Sequence, residues 1–298
     1  MQVLLVGASG QIGGHLKRLL EGAGHFVVGT YATVEQPGLR RLDLDAKEEL
    51  DAIVAEVEPQ LVILAAGWTW VDGNEDDPAA SFRRNCEHPL HLARLAAERG
   101  ARFVTYSTDY VFDGKGGPYT EADPLNPLNV YGDAKAALEE GLNDLGPAAL
   151  CLRTSTVYGP EAQGKNFVYQ LVRRLRAGQP FKVPTDQVAC PSYSPDVAAA
   201  TLSLVNRGAE GIWHVAGPDA ISREDFTREA CAVFDLDPEA VEYLPTSELA
   251  QKAERPLSAA LDTSKLRAAG IEVRGVRAGL EALKAAAVRG GGFAELST

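Results

Sequence analysis

Apolar residues are distributed along the first 150 positions in a two-part rhythm. Short runs dominated by Val, Leu and Ile ("QVLLVG", "HFVVGTY", "QLVILAAG", "ARFVTYS", "AALCLRTS") alternate with longer stretches at helical spacing. The latter are "GQIGGHLKRLLEGAG", "DAKEELDAIVAEVEP", "DPAASFRRNCEHPLHLARLAAERG" and "YGDAKAALEEGLNDLG". This alternation predicts parallel strands joined by crossover helices, because a parallel neighbour is reached only by a connection long enough to return over the sheet. Continuous apolar strands predict a sheet covered on both faces. From about residue 156 the pattern loosens, and "NFVYQLVRRLRAG", "SPDVAAATLSLVNRG", "REDFTREACAVFDLD" and "VRAGLEALKAAAVRG" read as helices with brief strands such as "GIWHVAG" between them. The expected architecture is α/β: a doubly wound parallel sheet over residues 1–156, to which residues 186–210 return, a smaller mixed α/β lobe over 157–290, and a tail over 291–298.

Local signals refine the boundaries. Asp45 with Glu48, and Ser222 with Asp225, have the spacing of helix-start capping pairs. Gly22 and Gly24 close the first helix, and Gly100 closes the helix before "ARFVTYS". One strand ends unusually: after Phe103 and Val104 the run "ARFVTYSTDYVFDG" turns polar at Ser107, Thr108 and Asp109, where further apolar residues would continue the burial.

Composition narrows the classes. The 298 residues are 45% hydrophobic and 23% charged, ordinary for a globular chain with a sizeable core. A formal net charge of -12 repels phosphate polymers and anionic membrane surfaces, so no nucleic-acid or membrane partner is expected. Cys86, Cys151, Cys190 and Cys231 are widely spaced, which suits reduced thiols and a cytoplasmic location better than a disulfide frame or zinc site. No apolar run reaches membrane length.

Chemistry enters with "GASGQIGG", immediately after the first strand, where Gly7, Gly10 and Gly13 stand three apart. Glycines here let the chain turn sharply and bring backbone N–H groups close to a diphosphate at the positive end of a helix. A tight turn without a ligand is the alternative. Between a strand and an amphipathic helix, the pattern predicts a Rossmann-type dinucleotide site. G-x-x-G-x-x-G resembles the short-chain dehydrogenase/reductase superfamily, whose members carry a Tyr-x-x-x-Lys pair, and "YGDAK" supplies Tyr131 and Lys135. Four apart, both project from one helical face, where the ammonium is expected to lower the tyrosine pKa toward the working range. Such a phenol can give a proton to a carbonyl oxygen as a hydride reaches the carbon.

The resemblance assigns further roles. It implies cofactor contacts from Gly7, Ser9, Gly10, Gln11, Ile12, Gly13, Thr30, Ala65, Ala66, Tyr131 and Lys135, with Asp43 and Leu44 beside the adenine. The second strand ends in Thr30, Tyr31, Ala32 and Thr33, none acidic, so NADP(H) is preferred and NAD(H) is compatible. Arg40 or Arg41 can reach a ribose phosphate, or can form a solvated strand edge. At the polar strand end, Thr108 completes a catalytic trio with Tyr131 and Lys135, while Asp109 either bonds substrate hydroxyls or caps a turn, as does Ser107. The next residue is Tyr110, where related dehydratases place a glutamate, which favours carbonyl reduction over elimination.

Over most of its length the chain resembles the dTDP-4-dehydrorhamnose reductase family, through "STDYVFDG", "PYTEADPLNPLNVYGDAK", "RTSTVYG", "NFV", "DQVACPSYSPDVA" and "RPLSAALDTSKL". That resemblance implies NAD(P)H-dependent reduction of a nucleoside-diphosphate 4-keto-6-deoxy sugar held between the lobes. It implies substrate contacts from Trp68, Thr108, Asp109, Tyr110, Thr156, Asn166, Gln187 and Arg255, with Phe167 in the same segments and Arg255 on the diphosphate. Departures fall at Leu64, Gly67 and Trp68, at Thr156 where the family has tryptophan, and at Ser258 and Ala259. Asn85 is expected either to hold the active-site strand or to lie on a polar helix face, and Arg153 to be structural. His88 and His91 lack a third ligand, so no metal site is expected, and magnesium dependence stays open. Two alternatives share the fold: a non-catalytic subunit resembling the methionine adenosyltransferase regulatory subunit, and a sugar-nucleotide epimerase. A homodimer is compatible with either.

Overall fold

The computed structural model describes residues 1–145 and 149–290, so the tail expected at 291–298 lies outside the described residues. Its first half runs β1 (Gln2–Val6), α1 (Gln11–Gly22), β2 (Phe26–Tyr31), β3 (Arg40–Arg41), α2 (Lys47–Val57) and β4 (Leu61–Leu64). Then come α3 (Val71–Asp76), α4 (Pro78–Phe82), α5 (His88–Glu98), β5 (Arg102–Thr108), α6 (Val130–Asn143) and β6 (Ala149–Thr154). The second half contains β7 (Val157–Tyr158), α7 (Phe167–Arg176), β8 (Phe181–Pro184), β9 (Val188–Ala189), β10 (Ser192–Tyr193), α8 (Ser194–Asn206) and β11 (Gly211–His214). It closes with β12 (Ile221–Ser222), α9 (Arg223–Phe234), β13 (Val241–Leu244), α10 (Ser264–Ala268) and α11 (Val276–Gly290).

Seven strands form one sheet in the order β11-β6-β5-β4-β1-β2-β3, every neighbouring pair parallel. Alternate side chains of β1 enter opposite cores. Leu4 and Val6 meet Leu50, Leu92 and Leu138 from α2, α5 and α6, while Val3 and Leu5 meet Leu16, Leu20 and Val197 from α1 and α8. The chain order reverses between β1 and β4, which opens a crevice at their carboxyl ends. A third core joins Tyr158, Leu171, Phe226, Phe234 and Leu280 of the second half, and a fourth places Phe112, Tyr119, Cys190 and Leu261 between the two. The brief strand expected among the later helices, Gly211–His214, extends the main sheet beside β6, because α8 packs on α1 and acts as its crossover.

Two boundaries differ from the sequence reading. α2 begins at Lys47 with Ala46 at its N-cap and no side-chain cap, so Asp45 and Glu48 do not form the expected pair. Asp45 is instead drawn to Arg84 Nε at 2.7 Å, and the guanidinium holds its carboxyl below the usual carboxylate range. The Ser222 cap is present, its hydroxyl accepting from Asp225 N at 2.9 Å. The single helix expected from Asp77 to Gly100 is broken into α4, a π-helical turn over Arg83–Glu87, and α5. Pro89 stands just after that turn and has no N–H to donate back, and a widened turn accommodates the lost bond. A short helix at Val71–Asp76 follows β4 where the sequence reading placed none.

Candidate active site

The crevice begins with the loop after β1. Gly7 has φ +87, and its N–H donates to Thr30 Oγ1 at 3.2 Å, so Thr30 lies buried beneath the loop and fixes it. A Cβ at Gly7 would fall 2.8 Å from the Ala65 carbonyl oxygen and 2.8 Å from Ala66 Cβ. One at Gly13 would fall 2.1 Å from the Gly7 carbonyl oxygen. The start of α1 is thus pressed against the loop at a distance only glycine allows. Its N-cap, Gly10, supplies no side chain to the helix end, and its first turn holds no acid. The N–H groups and positive dipole end are therefore left for an anion, a cradle that fits a dinucleotide pyrophosphate.

Other residues predicted to meet the cofactor surround this loop. The Ser9 carbonyl accepts from Gln36 Nε2 at 3.5 Å, Gln11 Nε2 donates to the Gly159 carbonyl at 3.4 Å, and Ile12 packs into the second core. After β3, Asp43 N–H donates to Glu49 Oε2 at 3.2 Å, and Leu44 packs on the first core. Arg40 is committed to Glu56 by two hydrogen bonds of 2.8 and 2.7 Å. Arg41 beside it is exposed.

Next along the sheet, the end of β5 meets the start of α6. Asn129 caps α6 by accepting from Gly132 N at 2.8 Å. A Cβ at Gly132 would lie 2.3 Å from the Tyr110 carbonyl oxygen, so the helix start touches the turn after β5. That contact brings Tyr131 to the side of the Thr108 hydroxyl and sets its ring edge-on to Tyr110 at 6.2 Å. One turn on, Lys135 is buried and donates to the Tyr106 carbonyl at 3.0 Å. The expected lowering of the Tyr131 pKa is not found. Burial pushes the phenol above its ordinary value, the Asp109 carboxylate adds to the rise, and only the Thr108 hydroxyl pulls the other way. Lys135 directs one N–H at a backbone carbonyl, and burial shifts its pKa down.

The polar step is now explained in part. Thr108 Oγ1 donates to Asp109 Oδ1 at 3.0 Å and accepts from Tyr110 N at 3.2 Å. Ser155 Oγ donates to Asp109 Oδ2 at 2.6 Å, and burial raises the Asp109 pKa to about 6 against these hydrogen bonds. The Ser107 hydroxyl is buried without a partner among the described residues, a donor left free at the site at a cost of roughly 1–3 kcal/mol.

The loop after β4 is tied down from behind. Asn85, turned inward by the π-helical segment, accepts from Trp68 N at 2.9 Å and donates to Trp68 O at 3.1 Å. It also meets the buried Asn74, so Asn85 holds the loop and is not on a polar face. The Trp68 ring lies under the Arg84 guanidinium at 5.1 Å. Arg153 is structural: it forms a buried pair with Glu139 at 2.7 Å and meets His214 Nε2 at 3.1 Å.

Beside the turn after β5, a small cavity of about 20 Å³ is lined by Asp109, Tyr110, Thr156, Gln187, Arg223 and Pro256, among others. Of the predicted substrate residues, Asp109, Tyr110, Thr156 and Gln187 converge here. Asn166 instead caps α7 through Tyr169 N and donates to the Gly159 carbonyl at 2.9 Å. Arg255 Nη2 donates to Asp72 Oδ1 at 2.7 Å, while Nη1 is buried without a partner among the described residues. Sequence reasoning missed Arg223 and Ser155. The Ser222 cap marked the start of α9, but no pattern says that its first residue turns into the cleft. Among the described residues no group of three or more His, Cys, Asp or Glu is placed to hold a metal, and no helix is long and apolar enough to cross a membrane.

Known proteins place this arrangement. The chain is an NAD(P)-dependent oxidoreductase built on a Rossmann-type sheet. The profile of the RmlD substrate binding domain matches residues 1–288, and the chain belongs to that family. It is 35% identical over 274 residues to the "Probable low-salt glycan biosynthesis reductase Agl14" of Haloferax volcanii, covering 89% of this chain and 91% of that one. A dTDP-4-dehydrorhamnose reductase of Streptomyces griseus is 34% identical over 276 residues, covering 90% and 88%. The crystal structure of the Bacillus anthracis dTDP-4-dehydrorhamnose reductase in complex with NADP superposes with a TM-score of 0.86 at 26% identity, covering 94% and 97%.

Proposed function

We propose that this chain reduces a nucleoside-diphosphate-linked 4-keto-6-deoxy sugar, with NADPH as the preferred reductant and NADH tolerated. The observation that carries the reading is the convergence of Thr108, Tyr131 and Lys135 beside a glycine cradle, in a chain whose relatives of similar length are reductases. The cradle and the ends of β1 and β4 would hold the dinucleotide, which when bound supplies a hydride to the carbonyl carbon. The sugar nucleotide would lie across the cleft against Asp109, Tyr110, Thr156 and Gln187.

Each residue of the trio then has one task. Tyr131 gives its phenolic proton to the carbonyl oxygen; a phenol whose pKa is raised by burial is held in the protonated form that this step requires. Thr108 presents its hydroxyl to the same oxygen, in exchange for its bond to Asp109. Lys135, pinned to the Tyr106 carbonyl, sets a positive charge behind the phenol that favours the charge developing on it. The preference for NADPH follows from the lack of an acid among Thr30, Tyr31, Ala32 and Thr33 at the end of β2, with Arg41 the cation left exposed once Arg40 is taken by Glu56.

Mixing the protein with NADPH or NADH and enzymatically prepared dTDP-4-keto-6-deoxy sugars tests this directly. Sugar-dependent loss of nicotinamide absorbance is expected, faster with NADPH. No sugar-dependent loss with either reductant would refute the reading.

A further inference from the structure

Two guanidinium groups stand near Tyr110, and they are not equivalent. Arg255 lies over the ring at 5.7 Å and is answered by the Asp72 carboxylate at 2.7 Å. Arg223 rests on the Phe167 ring at 4.8 Å and donates from Nη2 to Thr156 Oγ1 at 3.2 Å, and among the described residues it forms no ion pair. Asp109, a carboxylate of the same cavity, is turned to Thr108 and Ser155. Glu224, next in the chain, is bound to Arg228 at 2.9 Å. A half-buried guanidinium carries five donors and a charge that is costly to desolvate without a direct counterion. Burial shifts the Arg223 pKa below its ordinary value, with Tyr110 and the Asp109 carboxylate pulling the other way.

A second irregularity meets the first. Thr156, the residue that receives Arg223, has φ +42, a left-handed backbone that a β-branched side chain adopts only under strain. Both residues line the cavity. Strain of roughly 1–3 kcal/mol and a cation without a direct ion pair stand on the two sides of a single hydrogen bond.

We propose that Arg223, oriented by Thr156, binds the sugar-linked phosphoryl group of a nucleoside diphosphate and is the main anion-selecting residue of the cleft. The proposal rests on the reading of the cleft as a sugar-nucleotide site, and it assigns the sugar-side phosphate to Arg223 ahead of Arg255. A phosphoryl oxygen is the counterion that the guanidinium lacks, and its planar fork can offer two N–H groups to it. Arg255, already neutralised by Asp72, contributes less charge.

Calorimetric binding of thymidine and uridine mono- and diphosphates to the full chain tests this without turnover. Wild-type protein is expected to favour the diphosphate, and Arg223→Met to lose about 10- to 100-fold in diphosphate affinity while monophosphate affinity holds. Arg223→Lys should recover part of the loss, and Arg255→Met should cost less than Arg223→Met. A melting temperature and NADPH affinity equal to wild type in Arg223→Met would show that it is folded; if it is not, the Lys variant and the Arg255 comparison decide. Wild-type preference for diphosphate that survives Arg223→Met, or no preference in the wild type, overturns the assignment. A diphosphate preference that depends on Arg223 in a protein without sugar-dependent reductase activity would sustain the assignment and sink only the proposed reaction.

Discussion

The glycine loop is one continuous stretch of backbone, residues 7–13, shaped by what a Cβ would strike and leading into the open N-terminal turn of α1. Across the crevice, the cleft draws side chains from the end of β5, the turn after β6, the residues around Gln187, the start of α9 and the segment at Pro256. The first region is made of exclusions: it works because nothing protrudes. The second is made of placements, each charge matched or left unmatched by its neighbours. Disturbing the first should fail through sterics, and disturbing the second through electrostatics.

The largest effect should come where the two regions meet. Tyr131→Phe removes the proposed proton donor and should lower kcat by about 10²- to 10⁴-fold with little change in NADPH affinity, measured by steady-state kinetics and fluorescence titration. Next in size is a pair of glycines in one helix. Gly13→Ala drives a Cβ to 2.1 Å from a backbone oxygen and should cost about 1–3 kcal/mol of stability together with cofactor affinity. Gly22→Ala meets nothing within 4 Å and should be neutral or stabilising by about 0.5–1 kcal/mol in urea unfolding. Equal losses at both positions would remove the steric account of the loop.

The electrostatic half is sharpened by pH. Asp109 has a pKa of about 6 in the folded chain, above its ordinary value, so the folded state binds the proton more tightly than the unfolded state does. Its favourable contribution is present at low pH and is lost as pH rises through about 6. Asp109→Asn has no such loss. Its stability relative to wild type should therefore improve by on the order of 2–3 kcal/mol between pH 4 and pH 7, followed by thermal or urea unfolding. A constant difference across that range would contradict the buried ionisation. Smallest is the cofactor preference: Arg41→Ala should raise the KM for NADPH by about 3- to 10-fold and spare NADH. Arg40→Ala, already paired with Glu56, should alter neither.

What could be read in advance follows the same division. The parallel sheet, the loop at Gly7 to Gly13 and the Tyr131–Lys135 face were legible because each rests on spacing within a single segment. The π-helical turn that swings Asn85 inward was not, since its cause, Pro89, reads equally as an ordinary first-turn proline. The direction of the Tyr131 shift was missed because four-residue spacing puts Lys135 on the right face without saying that the phenol is buried beside the Asp109 carboxylate. Arg223 was invisible for a related reason: a cation after a helix cap looks solvated until Phe167 and Thr156 arrive from more than fifty residues away.

Asn129 ties these regions mechanically. Its side-chain oxygen caps α6, the helix that carries Tyr131 and Lys135, while its amide nitrogen donates to the Glu254 carbonyl of the later half of the chain. Beside it, Val130 N donates to Glu75, Ala253 N to Asp72, and Lys252 pairs with Asp76. A shift of the later segment at Lys252–Glu254 would therefore reach the first turn of α6 through Asn129, Glu75 and the Asp72 turn.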